Sequence, residues 1–405
     1  MFDRDVFIFS DKHCAFPSTG DLQRDWARWF RRAVDDSMRQ ALGAHRWLRT
    51  HPDRVFLDPQ CQQPFPIALP DRDVARVHVI VVAHGVARAC TAALGGSGSL
   101  MIHSDLKGIP AHTAPFTIGD LNPDGPFVHA LDDTSLDVLL TNLDTVADFA
   151  AYLRKKEELL RGGRGVFAAG EEELLAAYLR GLNSLGEHDF VLPVEATHVM
   201  VEEGLWEEFQ RNPQRVTQIA ANEVSYMWDA LIEQFNRHAI RGTQYYAAPT
   251  GLDSTERIVR FMAGEPRTRR RMLGKALAEM LHTTGRSMRR IRVVAPSRPG
   301  DPYYALVLFP PFPQRPYDEY RAVRREHLMA VCLVTKRMHP DAVDIVGIST
   351  ESGVDTEPRS EDALYFDARV WTVEMAAEAE MLQRDLQILV APTEIRRVEK
   401  EYPDP

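Results

Sequence analysis

The sequence predicts an α/β protein, and three observations predict it. Short apolar segments of strand length alternate with longer stretches whose apolar residues recur every three to four positions, as strands joined through helices require. One segment, Val77-His78-Val79-Ile80-Val81-Val82, is almost continuously apolar, which suits a strand covered on both faces. Turn-forming residues gather between these segments, at Pro17-Ser18-Thr19-Gly20-Asp21, along the prolines from Pro52 to Pro70, and at 296–302 and 310–316.

Taken in order, Val6 to Ser10 reads as a buried strand, and the turn ending at Asp21 caps a long helix over about 21–49. At about 100° per residue, Leu22, Trp26, Trp29, Phe30, Ala33, Ala44, Trp47 and Leu48 fall on one face of that helix and Arg24, Arg28, Arg31, Arg32, Arg46 and Arg49 on the other. Gln40 falls within the apolar stripe, where an amide needs partners. Further strands are expected at 77–82, 100–102, 116–118 and 127–131, completing an α/β unit over residues 1–133. Residues 134–286 read as a helical middle, with helices at 143–160, 171–183, 216–238 and 268–284 and breaks at Gly162-Gly163, Asn212-Pro213 and Gly251. Residues 287–405 read as a second α/β unit, with strands at 291–295, 304–309 and 343–349 and helices at 317–338 and 373–385.

At 405 residues the chain is long enough for two or three structural units. Hydrophobic residues make up 44% and charged residues 26%, with no apolar run near the roughly 18 residues of a membrane span, so a membrane partner is not expected. The first residues lack the pattern of a secretory signal, and the chain is read as cytoplasmic. Cys14, Cys61, Cys90 and Cys332 lie far apart with no Cys-x-x-Cys pair, which speaks for free buried thiols and against a zinc ribbon or disulfide framework. The net charge of -10 argues against a protein coated in basic surface, though a local basic patch can still hold nucleic acid.

The most suggestive chemistry lies at the end of the first strand, in Ser10-Asp11-Lys12. A carboxylate and a lysine there can hold a divalent cation and steady a charged phosphate; the same pair can be a solvated ion pair where a strand meets a loop. Gln40, on the helix that follows, could orient a metal-bound water or a phosphate, and a satisfied core glutamine would look the same.

Over Asp5 to Leu48 this pattern resembles the PD-(D/E)XK nuclease superfamily, in which a strand carrying acid-x-lysine is followed by a helix that bears glutamine in some branches. The resemblance implies that Lys12 matches the motif lysine and Gln40 the helical glutamine. It implies a Mg2+ ion, with Asp11 as its ligand here, and catalysis by Asp11, Lys12 and Gln40. The pattern departs from the family at position 10, where Ser10 stands in place of the acid; Asp11 belongs to the opposite strand face unless a bulge intervenes. The helix and strand that supply the family's further acids have no counterpart before Val6, so the expectation is of a natural start upstream and an incomplete catalytic set. The function expected is that of a metal-dependent, nuclease-related hydrolase acting on nucleic-acid phosphodiesters, inactive or incomplete in this form. The alternative is a noncatalytic interaction or scaffold protein on the same framework, with a protein as its partner.

The basic cluster Arg267, Arg269, Arg270, Arg271, Lys275, Arg286, Arg289, Arg290 and Arg292 is the other candidate site. Guanidinium groups fork around phosphate oxygens, so Arg267, Arg269, Arg270, Arg271, Lys275, Arg289 and Arg290 are the candidate nucleic-acid contacts; a helix face paired with acids elsewhere is the competing reading. Gly95-Gly96-Ser97-Gly98-Ser99 reads as a turn before a strand, lacking the lysine and spacing of a phosphate loop. His78 and His84 share strand parity with no acidic or cysteine cluster beside them in sequence, and zinc is not expected there. Asp344 and Glu351 flank the strand 345–350, and Arg359-Ser360-Glu361-Asp362 follows, a grouping that can either bind a ligand at a strand end or cap the surface.

Overall fold

A computed structural model describes residues 1–243, 252–353 and 359–404; the expected break at Gly251 lies outside them. The fold is α/β, and it divides into two compact units, Met1–Val216 and Thr217–Pro405. The stretch expected as a helical middle is shared between them. Among the described residues no helix is long and apolar enough to cross a membrane.

In the first unit the chain forms β1 (Asp5–His13), α1 (Leu22–Phe30), a π-helical turn (Arg31–Asp35), α2 (Asp36–Thr50), β2 (Arg76–His84) and α3 (Ala87–Leu94). It continues through β3 (Met101–Lys107), β4 (Thr117–Asp120), β5 (Val128–Leu131), α4 (Asp133–Asn142), α5 (Val146–Arg161), β6 (Gly165–Ala168), α6 (Glu171–Arg180), β7 (His198–Val201) and α7 (Leu205–Arg211). β1, β2 and β5 make a parallel sheet with β2 central, and β4-β3-β6-β7 make a second, mixed sheet. β1 pairs with β2 without interruption from Asp5↔Arg76 to His13↔His84. That unbroken register rules out a bulge in β1, so residues 11 and 12 face opposite ways.

Helices α1 and α2 cover one face of the parallel sheet. Trp26, Trp29, Phe30 and Ala33 are buried there with Ile8, Val79 and Val81, and both indole N–H groups reach carbonyls, Trp26 that of His112 and Trp29 that of Cys14. The single apolar stripe expected along the whole helix stops at the π turn. A wider turn inserts extra rotation, so the buried residues beyond it are Ser37, Met38, Ala41 and His45, with Leu48 packed beside the core, while Ala44 and Trp47 are exposed. Gln40 is exposed as well, rather than set within the stripe. Leu22, ahead of the turn, is also largely exposed.

α8 (Pro213–Asn222) crosses the boundary between the units. The second unit contains α9 (Tyr226–Arg241), α10 (Leu252–Gly264), α11 (Arg267–Thr283), β8 (Arg290–Val294), β9 (Tyr303–Phe309), α12 (Tyr317–Met338), β10 (Asp344–Glu351), β11 (Asp362–Asp367) and α13 (Val373–Asp385). Its sheet runs β11-β10-β9-β8, with β9 and β10 parallel at the centre and both edge strands antiparallel. Every residue of β9 and of β10 is buried, because both faces are covered. Trp228, Leu231, Phe235, Ile258, Leu273 and Met280 of α9–α11 pack on Tyr304, Leu306, Leu308, Val346 and Ile348; α12 and α13 cover the other face. At the middle of α11, Gly274 lets the helix approach the chain closely: a Cβ there would lie 2.5 Å from the Val224 carbonyl oxygen. Cys14, Cys90 and Cys332 are buried free thiols as expected, whereas Cys61 is exposed.

Candidate functional site

The carboxyl-terminal rim of the parallel sheet in the first unit brings together polar side chains from three elements. Strand alternation puts Asp11 and His13 of β1 on the same face as His84 of β2. β5 ends at Leu131, and the next two residues do different work. Asp132 caps α4 through the Thr134 and Ser135 amides in a capping box, and it also accepts the Leu100 N–H at 2.7 Å. Asp133 turns to the rim, accepting the Gly85 N–H at 2.8 Å and holding His84 Nδ1 at 2.9 Å. On the other side of the ring, His84 Nε2 lies 2.9 Å from Asp11 Oδ1.

The result is a carboxylate–imidazole–carboxylate row. Both bonds coexist only when both ring nitrogens carry hydrogen, since a carboxylate can only accept. The row is graded in exposure: the side chain of Asp133 is 33% exposed, His84 26% and Asp11 65%. Burial works upward on the Asp133 carboxyl, but the Gly85 N–H and His84 outweigh it and hold the group below the usual carboxylate range. The His13 ring stacks toward His84 with centroids 6.4 Å apart. Gly85 is required at the corner, because its φ is +96° and a Cβ would lie 2.4 Å from the Cys14 carbonyl oxygen.

The residues singled out from the sequence do not all meet here. Asp11 is on the rim face; Lys12 has the opposite parity, shared with Ser10, whose hydroxyl lies 3.5 Å from Gln40 Oε1. The Lys12 side chain has no hydrogen bond or ion pair among the described residues. Asp11 is thus separated from Lys12 and Gln40 by the sheet. Among the described residues no group of three or more His, Cys, Asp or Glu side chains is placed to hold a metal ion. The acids beside Asp11 are committed to His84 and backbone, a donor set that does not fit Mg2+.

Deeper on the same face, His78 is bonded to Asp5 at 2.7 Å and stacks on Phe7. Burial raises the Asp5 carboxyl, yet His78, with Arg154 and Arg76, brings it below its ordinary value. The glycine-rich loop is anchored by acids: Ser97 donates to Glu172 at 2.5 Å and Ser99 to Asp132. Two carboxylates behind the loop make it a poor phosphate cradle.

In the second unit Arg267, Arg269, Arg270 and Arg271 of the basic cluster are buried, while Arg286 and Arg290 are exposed. Arg267 and Arg270 are buried against Asp229 at 2.8 and 2.7 Å, Arg269 lies beside Glu265 and donates to the Ala295 carbonyl, and Arg271 is fully buried against Glu399. Lys275 reaches Glu399 at 2.6 Å, Arg289 the Leu386 carbonyl at 2.7 Å, and Arg290 the Thr283 hydroxyl. Glu351, at the end of β10, forms a buried pair with Arg324 at 2.7 Å and accepts from Tyr317 and the Ser360 N–H. Asp344 is bonded to Tyr365 and Arg369.

Reading the sequence alone misses His84 and Asp133 as partners. The available signal was the common parity of Asp11, His13 and His84 once β1 and β2 are paired in parallel, together with an acid just past the neighbouring strand. No family model, curated protein or solved structure matches the chain.

Proposed function

We propose that the first unit hydrolyses phosphodiesters at this rim, with His84 meeting the phosphate. The observation that carries the reading is the row Asp11–His84–Asp133, in which a ring fixed from behind by Asp133 sets its second nitrogen 2.9 Å from an exposed carboxylate. A phosphoryl or leaving-group oxygen can take the place of Asp11 at Nε2. Water then attacks phosphorus, the displaced Asp11 carboxylate takes the water proton, and His84 Nε2–H protonates the departing oxygen. Asp133 keeps the ring in place throughout. Lys12 and Gln40 have no part in this scheme, and no step runs through Mg2+.

Single- and double-stranded DNA and RNA, each assayed with Mg2+, with Mn2+ and with chelator, test the proposal. Cleavage should fall about 100-fold or more in His84→Gln, the range a positioned acid–base group contributes. Cleavage indifferent to His84→Gln would refute the assignment. A second reading is favoured by the two internal partners of the ring: the row is a clasp joining β1, β2 and α4 in a noncatalytic interaction module. Inertness on every substrate, with or without metal, in a folded protein would establish that reading instead.

A further inference from the structure

The irregular segment that follows α13 lies along the basic helix α11, and its Glu399 pairs with two of that helix's cationic side chains. Glu399 lies 2.8 Å from Arg271 Nε and 2.6 Å from Lys275 Nζ. Two residues on, the Glu401 carboxylate accepts from the Thr268 hydroxyl and the Gln218 amide. Arg271 also donates to the backbone carbonyls of Lys400 and Glu401, the latter at 3.2 Å, and Arg397 of the same segment pairs with Glu279 further along α11. Arg271 has no exposed surface while the segment is in place.

This arrangement differs from the other ion pairs of α11. Arg267, Arg269 and Arg270 are held by Asp229 and Glu265, acids presented by α9 and by the turn before α11, so those pairs belong to the packed core of the unit. Arg271 and Lys275 are neutralised instead by a strap without helix or strand, whose Glu399 remains one-fifth exposed and whose Lys275 partner is 40% exposed. Beneath the strap α11 and α8 thus offer an anionic chain two cations, Arg271 and Lys275, and two neutral donors, Thr268 and Gln218. Charges and hydroxyl or amide donors set side by side in this way suit the phosphates of a single-stranded nucleic acid.

We infer that the strap around Glu399–Glu401 is a resident mimic of a phosphate backbone, covering a single-stranded nucleic-acid surface made by Gln218, Thr268, Arg271 and Lys275. Nucleic acid binds this surface by displacing the strap. The inference rests on binding alone, so its failure leaves the hydrolytic reading of the first unit untouched, and its success does not require cleavage.

The test is retention of a fluorescent single-stranded DNA oligonucleotide across a salt series, using the full chain. The double variant Glu399→Gln/Glu401→Gln weakens the strap without deleting it and should tighten binding about tenfold. Its log-affinity should fall more steeply with log salt, by roughly 0.7 for each of the two cations released. Adding Lys275→Glu, at a half-exposed position that does not threaten folding, should cancel the gain. An unchanged affinity in the double variant, or a gain that survives Lys275→Glu, would overturn the inference. So would polyglutamate binding the double variant when the oligonucleotide does not, which would assign the surface to acidic peptides.

Discussion

Both units place charged residues at the carboxyl ends of parallel strands, and they treat them in opposite ways. At the β1–β2 rim the His84 side chain is 26% exposed and Asp11 65%, so a ligand can reach the row. At the β9–β10 rim Arg324 and Glu351 have no exposed surface, and Tyr317, Ser360 and Asp362 close the remaining bonds around them. Strand ends give an α/β sheet the opportunity for a site. Exposure separates the use made of it: the first rim can exchange partners, while the second is a clamp that holds loop to sheet.

The largest effect expected from this contrast is at the clamp. Arg324→Met should destabilise the protein by about 3–5 kcal/mol, because Glu351 would be left buried without its cation. Denaturant unfolding followed in the second unit would measure it. His84→Gln, at the open rim, should move stability far less while removing any activity.

Two further groups in the second unit sharpen the contrast by pH. Burial pushes the Glu265 carboxyl up to about 7, against the pull of Arg269, so its contribution is complete below the unfolded value of 4.5 and is lost as pH rises through about 7. Burial pushes His327 down to about 4; its contribution is complete above 6.5 and is lost as pH falls through about 4. Each amounts to on the order of 3 kcal/mol, with opposite sign over the shared window. Between pH 4.5 and 6.5, Glu265→Gln should therefore gain stability with rising pH and His327→Gln should lose it. Parallel slopes in the two variants would contradict the burial of one or the other.

Smaller effects belong to the first rim. Gly85→Ala should cost about 1–3 kcal/mol through backbone strain and displace the Asp133–His84 bond, so the thermal unfolding midpoint should fall. Lys12→Ala should stay within about 0.5 kcal/mol of the parent, as a half-exposed side chain with no partner among the described residues.

The α/β class and the anchors Trp26, Trp29 and Phe30 were legible because local periodicity encodes them. Ala33 and Leu48 keep to the expected face, but the exposure of Ala44 and Trp47 was not legible, because a π turn resets the helical phase and no residue type announces it. Asp11 could be noticed as an acid at a strand end, but its partner His84 comes from another strand and Asp133 stands 49 residues beyond His84. The arginine run looked like free charge for the same reason: Asp229 lies 38 residues before Arg267, and Glu399 belongs to a distant irregular segment. Pairing partners brought together by topology leave no trace in local spacing.

On the proposed reading the row around His84, rather than the Asp11-Lys12 dipeptide, is the working part of the first unit. Cleavage of a single-stranded oligonucleotide by the parent chain, His84→Gln and Lys12→Ala, measured side by side, tests it most directly. The expected result is a loss of about 100-fold or more in His84→Gln and near-parental rates in Lys12→Ala; full activity in His84→Gln with loss in Lys12→Ala would overturn the proposal.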